Sequence, residues 1–116
     1  MQFRVDGQIF KATHISGPTH NYLGLSLAEN GDTGSLVVEP LTLNSQEPVR
    51  LDVADIQDWV SKGVASANRD LATQYRLKRI EFVVSDSPRA EIYELLARRI
   101  IERIHAHPND YTGPND

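Results

Sequence analysis

The spacing of apolar residues changes near residue 52, and that change limits the folds open to this chain. Before it, apolar and polar side chains alternate, as at Leu23, Leu25 and Leu27, which is the period of a strand with one buried face. After it, apolar residues recur every three or four positions, which is the period of an amphipathic helix. The helical stripe comprises Ile56, Trp59, Val60, Gly63, Val64, Ala67 and Leu71.

Turn-forming residues divide the first half into strands. Asp6-Gly7 lies between two runs of strand-forming residues, which predicts a hairpin. Residues 30–34 also tolerate positive φ angles, which predicts a second hairpin into the strand that follows. The predicted strands cover residues 2–5, 8–15, 22–28 and 35–39, and the alternation of Val49, Leu51 and Val53 allows one more at 49–53.

Two elements follow the first helix, which Asp52 or Asp55 can cap. Alternating apolar residues at 80–84 predict a half-buried strand. Ser87, followed by a proline, is typical of a helix start, where its hydroxyl would accept an amide hydrogen bond. The second helix is expected to end near His105 and to bury Ile92, Leu95, Leu96, Ile100 and Ile104.

The order of elements predicts an α+β fold, with a mainly antiparallel sheet of about five strands and two helices packed on one face. The order is β-β-β-β-(β)-α-β-α. Residues 1–107 are expected to form a single domain, and residues 108–116 a flexible tail with too few apolar groups to order itself. The uncovered face of the sheet would carry Gln2, Arg4, Lys11, Thr13, Ser26, Arg79 and Glu81, and it would be either solvated or a docking surface.

Composition narrows the classes of function. The 116 residues contain no cysteine, which excludes disulfides, zinc–thiolate sites and thiol nucleophiles. No secretory signal or membrane-spanning run is visible, so a cytoplasmic protein without membrane contact is expected. The formal net charge of −4 argues against a general affinity for nucleic acid and leaves room for a basic protein partner.

No group of residues points to a reaction, a metal or a cofactor. His105 and His107 are two residues apart and would point in different directions on a helix. Asp52, Asp55 and Asp58 recur every third residue, which N-terminal capping and solubility explain better than metal binding. We therefore expect a protein that is not an enzyme and that holds no cofactor or metal.

The leading hypothesis is a small protein-binding module. In size, charge and mixed α+β layout, the chain resembles the immunity proteins that neutralise bacterial toxins and small phage-encoded inhibitors of host defences. That resemblance implies stoichiometric binding to a toxin or defence protein. An acidic helix face would attract a basic partner, and self-association through the open sheet face is a further possibility. The candidate partner-binding residues are Asp55, Asp58, Thr19, His20 and Asn21.

The alternative is a small enzyme or metabolite-binding domain that uses the segment from His14 to Asn21, with His14 or His20 as base. It requires a concave pocket beside that segment. Gly17-Pro18 within it is also typical of a plain bend between two strands. The sequence leaves both interpretations open.

Overall fold

The computed structural model describes residues 1–17, 19–29, 31–43 and 45–108. Within this part of the chain, the fold is the predicted α+β one and the order of its elements matches the prediction. The elements are β1 (Gln2–Asp6), β2 (Ile9–Ser16), β3 (Thr19–Leu27), β4 (Val37–Leu41), α1 (Val53–Leu71), β5 (Leu77–Val83) and α2 (Ala90–Ala106). The predicted tail lies outside the described residues except for Pro108.

The sheet has the strand order β1-β2-β3-β5-β4, and all its pairings are antiparallel except that of β4 with β5. The predicted second hairpin is therefore wrong, because β5 lies between β3 and β4. Ile80 and Phe82 of β5 pair with Leu25 and Leu23 of β3, which gives β5 a buried central position. Pro40 has no amide hydrogen to donate, which suits β4 to the edge.

Residues 49–53 do not form the short strand that alternation allowed. Val49 is exposed and Val53 begins α1. Only Leu51 of this segment is buried. The amides of Arg50 and Leu51 both donate to the Val84 carbonyl, at 2.7 and 3.2 Å, so two hydrogen bonds hold the segment against the residue that follows β5.

The two helices begin differently. Asp52 caps α1 as predicted, because its side chain accepts a 2.8 Å hydrogen bond from the Asp55 amide. The expected side-chain cap at Ser87 is wrong. Helix α2 begins at Ala90, its N-cap residue Arg89 makes no side-chain cap, and the Ser87 carbonyl accepts from the Arg89 amide at 2.9 Å.

Both helices pack on one face of the sheet around a cluster of buried apolar side chains. The helices approach closely at Gly63 of α1, since a Cβ there would collide with the Glu94 carbonyl and with Ala97 of α2. In the described part of the chain, no helix combines the length and apolar character needed to cross a bilayer. Since both helices lie on one face, no described helix packs on the opposite face of the sheet, which we call the uncovered face.

Candidate binding site at one end of the sheet

The segment at 14–21, expected to be a loop, consists mostly of two paired strands. Strand β2 runs to Ser16 and β3 begins at Thr19. Gly17 has a φ of 59°, a conformation that glycine adopts readily. The Thr19 hydroxyl donates to the Ser16 carbonyl at 2.7 Å. Because Ser16 and Thr19 pair directly, the two strands are joined by a tight connection in the middle of the segment.

This hairpin divides its side chains between the two faces of the sheet, because successive residues of a strand point to opposite sides. His14 and Asn21 are cross-strand partners on the core side, and Ile15 and His20 are partners on the uncovered side. Asn21 is 0% exposed, so its side chain cannot touch a partner directly. Ile15 is 67% exposed.

Asp86 fastens the segment after β5 to the start of β3. Its Oδ1 lies 3.2 Å from His20 Nδ1, and its Oδ2 accepts a 2.8 Å hydrogen bond from the Tyr22 amide. Beside it, Asn21 Nδ2 donates to the Ser87 carbonyl at 2.8 Å, and the Ser87 amide donates to the His20 carbonyl at 3.3 Å. These contacts hold this end of the sheet together, and the buried Asn21 contributes through its hydrogen bond to Ser87.

Asp86 is the one carboxylate buried within the described residues, with 6% of its surface exposed. Burial raises its pKa, whereas the hydrogen bonds from His20 and Tyr22 act in the opposite direction and the negative charge of Glu47 adds to the increase. Two hydrogen bonds use only part of the capacity of a carboxylate, which has about four acceptor positions. The group can therefore accept further donors.

His20 and Asp86 line an open cleft of about 340 Å³. Its charged groups have both signs, because Arg50 and Glu47 also line it. No ion pair joins either of these two side chains to another described residue. The full lining is His20, Leu43, Glu47, Arg50, Val83, Ser85, Asp86 and Ser87.

One exposed apolar side chain lines this cleft, and three more are neighbours of its lining residues in the sheet or along the chain. Ile15 pairs with His20 across the hairpin, Leu43 lines the cleft, and Val49 and Val53 lie within three residues of Arg50. The large apolar side chains exposed among the described residues are Met1 (46%), Ile15 (67%), Val37 (47%), Leu43 (74%), Val49 (71%) and Val53 (41%). Four of those six belong here. We call this region the cleft surface and define it as Ile15, His20, Leu43, Glu47, Val49, Arg50 and Val53.

The predicted acidic residues lie next to the cleft surface on α1. Asp55 is exposed in the first turn of α1, which begins three residues after Arg50. Asp58 is exposed one turn further along and forms an ion pair of 3.1 Å with Lys62. The structure thus brings Thr19, His20 and Asp55 to the same end of the molecule.

A buried polar group lies on the core side of the same hairpin. His14 Nδ1, Asn21 Oδ1 and the Tyr93 hydroxyl have no hydrogen-bond partner within the described part of the chain. Burial raises the pKa of Tyr93, and the Asn21 side chain opposes that increase. Because His14 points into the core and does not line the cleft, only His20 of the two predicted bases is available there.

Sequence reasoning missed Asp86, Arg50, Glu47 and Leu43 as members of this site. The aspartate at 86 lies beside the predicted helix start, the segment 42–48 carried no pattern that could be assigned, and the alternation at 49–53 suggested a strand and not a site. Across the described ranges, no three histidine, aspartate or glutamate side chains converge as metal ligands. Searches of protein families, characterised proteins and solved structures found no match to the chain.

Proposed function

We propose that the protein is a small non-catalytic module that binds another protein through the cleft surface. The observation that supports this most is the open polar cleft lined by the exposed Leu43, with the exposed Ile15, Val49 and Val53 close to its lining residues in the sheet or along the chain. Apolar patches of this kind mark interaction sites. Interfaces also combine apolar contact area with hydrogen-bonding groups.

The chemistry next to the cleft surface favours a basic partner. The chain has a net charge of −4, and Asp55 and Asp58 extend the acidic region along α1. Complementary charge accelerates association and rejects partners of the wrong sign. A cytoplasmic bacterial immunity protein, or another inhibitor that neutralises a toxin or defence protein, would use such a surface to occupy the basic site of its target.

Partner capture with matched variants tests this proposal. The wild-type protein is immobilised and exposed to an extract of the cells that naturally express it, alongside Ile15→Ser, Leu43→Ser and Val37→Ser. All three residues are exposed, so the folds should be retained. Val37 lies on β4, away from the cleft, and serves as the control.

We expect the same protein to be captured by wild type and by Val37→Ser, and to be lost with Leu43→Ser and reduced with Ile15→Ser. Unchanged capture by both cleft-surface variants would contradict the proposal. Circular dichroism spectra and melting temperatures of all four proteins establish that the losses do not reflect unfolding.

A second function, a small enzyme or metabolite-binding domain, is supported by the His20–Asp86 pair. A histidine whose Nδ1 meets a buried carboxylate is oriented as a base commonly is in enzymes. A metabolite that raises the melting temperature of wild type but not of His20→Ala would favour this function. Equal melting curves across a metabolite library would count against it.

A further inference from the structure

We infer that the cleft lined by His20, Asp86, Glu47 and Arg50 receives an arginine side chain presented by the protein partner. This inference rests on the proposed function and gives it a specific chemistry. It assigns the buried carboxylate of Asp86 as the acceptor at the base of the cleft and Glu47 as a second acceptor on its wall.

The environment of Asp86 is the first argument. Its carboxylate is buried and accepts from one amide and one imidazole, with no arginine or lysine paired to it. By contrast, Glu39 and Glu102 accept directly from arginine side chains. A buried carboxylate with unused acceptor positions favours a charged donor, and guanidinium offers several donors in a fixed planar arrangement.

The other walls of the cleft fit the same ligand. The residues Ser85 and Ser87 supply further polar groups, and Leu43 and Val83 supply apolar surface. An arginine side chain buries its methylene stem against apolar groups while its head reaches polar ones. The cleft therefore offers contacts to both parts of the side chain.

Arg50 allows an experiment to distinguish a cationic ligand of the cleft from an anionic one. The cleft is lined by two carboxylates, those of Asp86 and Glu47, and by one guanidinium, that of Arg50. With a neutral imidazole, the formal charge of the lining is therefore negative. Arg50 repels a cationic ligand, and Glu47 attracts it. An anionic ligand would experience the reverse. Removing the charge of Arg50 and removing the charge of Glu47 must therefore change the affinity in opposite directions. Which of the two changes strengthens binding reports whether the ligand is a cation or an anion.

The test is an NMR titration of the full-length, ¹⁵N-labelled protein with the peptide acetyl-Gly-Arg-Gly-amide. Acetyl-Gly-Glu-Gly-amide serves as the anionic comparison. The proteins are wild type, Glu47→Gln, Arg50→Gln and, as a control for loss of charge elsewhere, Glu29→Gln. Glu29 is exposed and does not line the cleft.

We expect the arginine peptide to shift the amide signals of His20, Arg50 and Ser85 in wild type. Because exposed charge pairs contribute little, Glu47→Gln should weaken binding by about two- to five-fold and Arg50→Gln should strengthen it by about the same factor. The Glu29→Gln protein should behave as wild type.

Preferential binding of the glutamate peptide, with both variant effects reversed, would overturn the inference in favour of an anion site. It is also overturned if neither peptide moves the cleft signals at concentrations that saturate a millimolar site. The proposed function is tested separately, by whether the Leu43→Ser protein fails to capture the partner that wild type captures. If neither peptide binds but Leu43→Ser no longer captures the partner, the arginine ligand is rejected and the proposed function is retained.

Discussion

His20 and Asp86 are 66 residues apart in the chain, yet their side chains meet at 3.2 Å and close one end of the sheet. The same carboxylate accepts from the Tyr22 amide, so it extends the contact between β3 and β5 beyond the last paired residues. This ties one wall of the cleft to the ends of β3 and β5, whereas most of its lining residues belong to the connecting segments. A surface that is fixed before binding loses less conformational entropy when a partner docks.

The raised pKa of Asp86 predicts a pH-dependent difference between wild type and Asp86→Asn. A carboxyl group with a raised pKa takes up its proton in the folded state first, so its contribution to stability grows as pH falls through the folded pKa toward the ordinary value of about 3.9. The free energy of unfolding of wild type should therefore rise relative to that of the variant between about pH 7 and pH 4.

Urea denaturation across that range measures the difference. Histidine titrates in the same interval, so the comparison is made in a His20→Gln background, which removes the imidazole next to Asp86. If the difference in free energy of unfolding between the two proteins stayed constant with pH, the folded state would not disfavour the ionised Asp86 carboxylate.

The hydroxyl of Tyr22 predicts a loss of stability at alkaline pH. Burial and the neighbouring carboxylate of Glu81, whose Oε1 accepts from this hydroxyl at 3.1 Å, both raise the pKa of Tyr22. An unfolded tyrosine ionises near pH 10, so the folded state loses stability as the pH rises above about 10. Tyr22→Phe should reduce that loss, as measured by urea denaturation at stepwise higher pH. Identical slopes for variant and wild type would refute it.

Gly63 predicts a substitution effect opposite to that of helix propensity. Alanine is about 1 kcal/mol better than glycine inside an exposed helix. Here the added Cβ meets the Glu94 carbonyl and Ala97 of α2. Gly63→Ala should therefore lower the free energy of unfolding, by about 1–3 kcal/mol as for other overpacked sites. Ser61→Ala, at an exposed position of the same helix, is the control, and a Gly63→Ala protein more stable than wild type would be inconsistent with the close approach.

The acidic residues of α1 predict a charge effect on association. Replacing Asp55 and Asp58 by lysine should slow binding of a basic partner without unfolding the domain, because both side chains are exposed. A Glu29→Lys, Glu91→Lys protein has the same change in net charge at other exposed positions and serves as the control. Surface plasmon resonance at low salt gives the rates, and equal slowing in both proteins would reduce the effect to net charge alone.

The sequence predicted the helices and strands of this fold better than it predicted which strands pair with each other. Alternation and helical periodicity located both helices and the strand predicted at 80–84. The pairing of β3 was mispredicted because local turn residues favour a hairpin, whereas the buried pair Leu23–Phe82 requires β5 beside it. Such a long-range preference leaves no local signal.

The site was predictable only in part. His20 was identified, but its loop proved to be the start of a strand, and Asn21 proved to be buried. Asp86 and Arg50 come from segments that flank β5 and α1. They join His20 through tertiary contacts, and a single sequence carries no periodic pattern that would bring them together.

The most direct measurement of where a partner binds is hydrogen–deuterium exchange of the free protein and of its complex with the captured partner. If the cleft surface is the interface, backbone amides at 15–20 and 42–51 should exchange more slowly in the complex, while those at 37–39 on β4 should be unchanged. Protection confined to the uncovered sheet face or to the outer side of α2, with the cleft segments unaffected, would contradict the account.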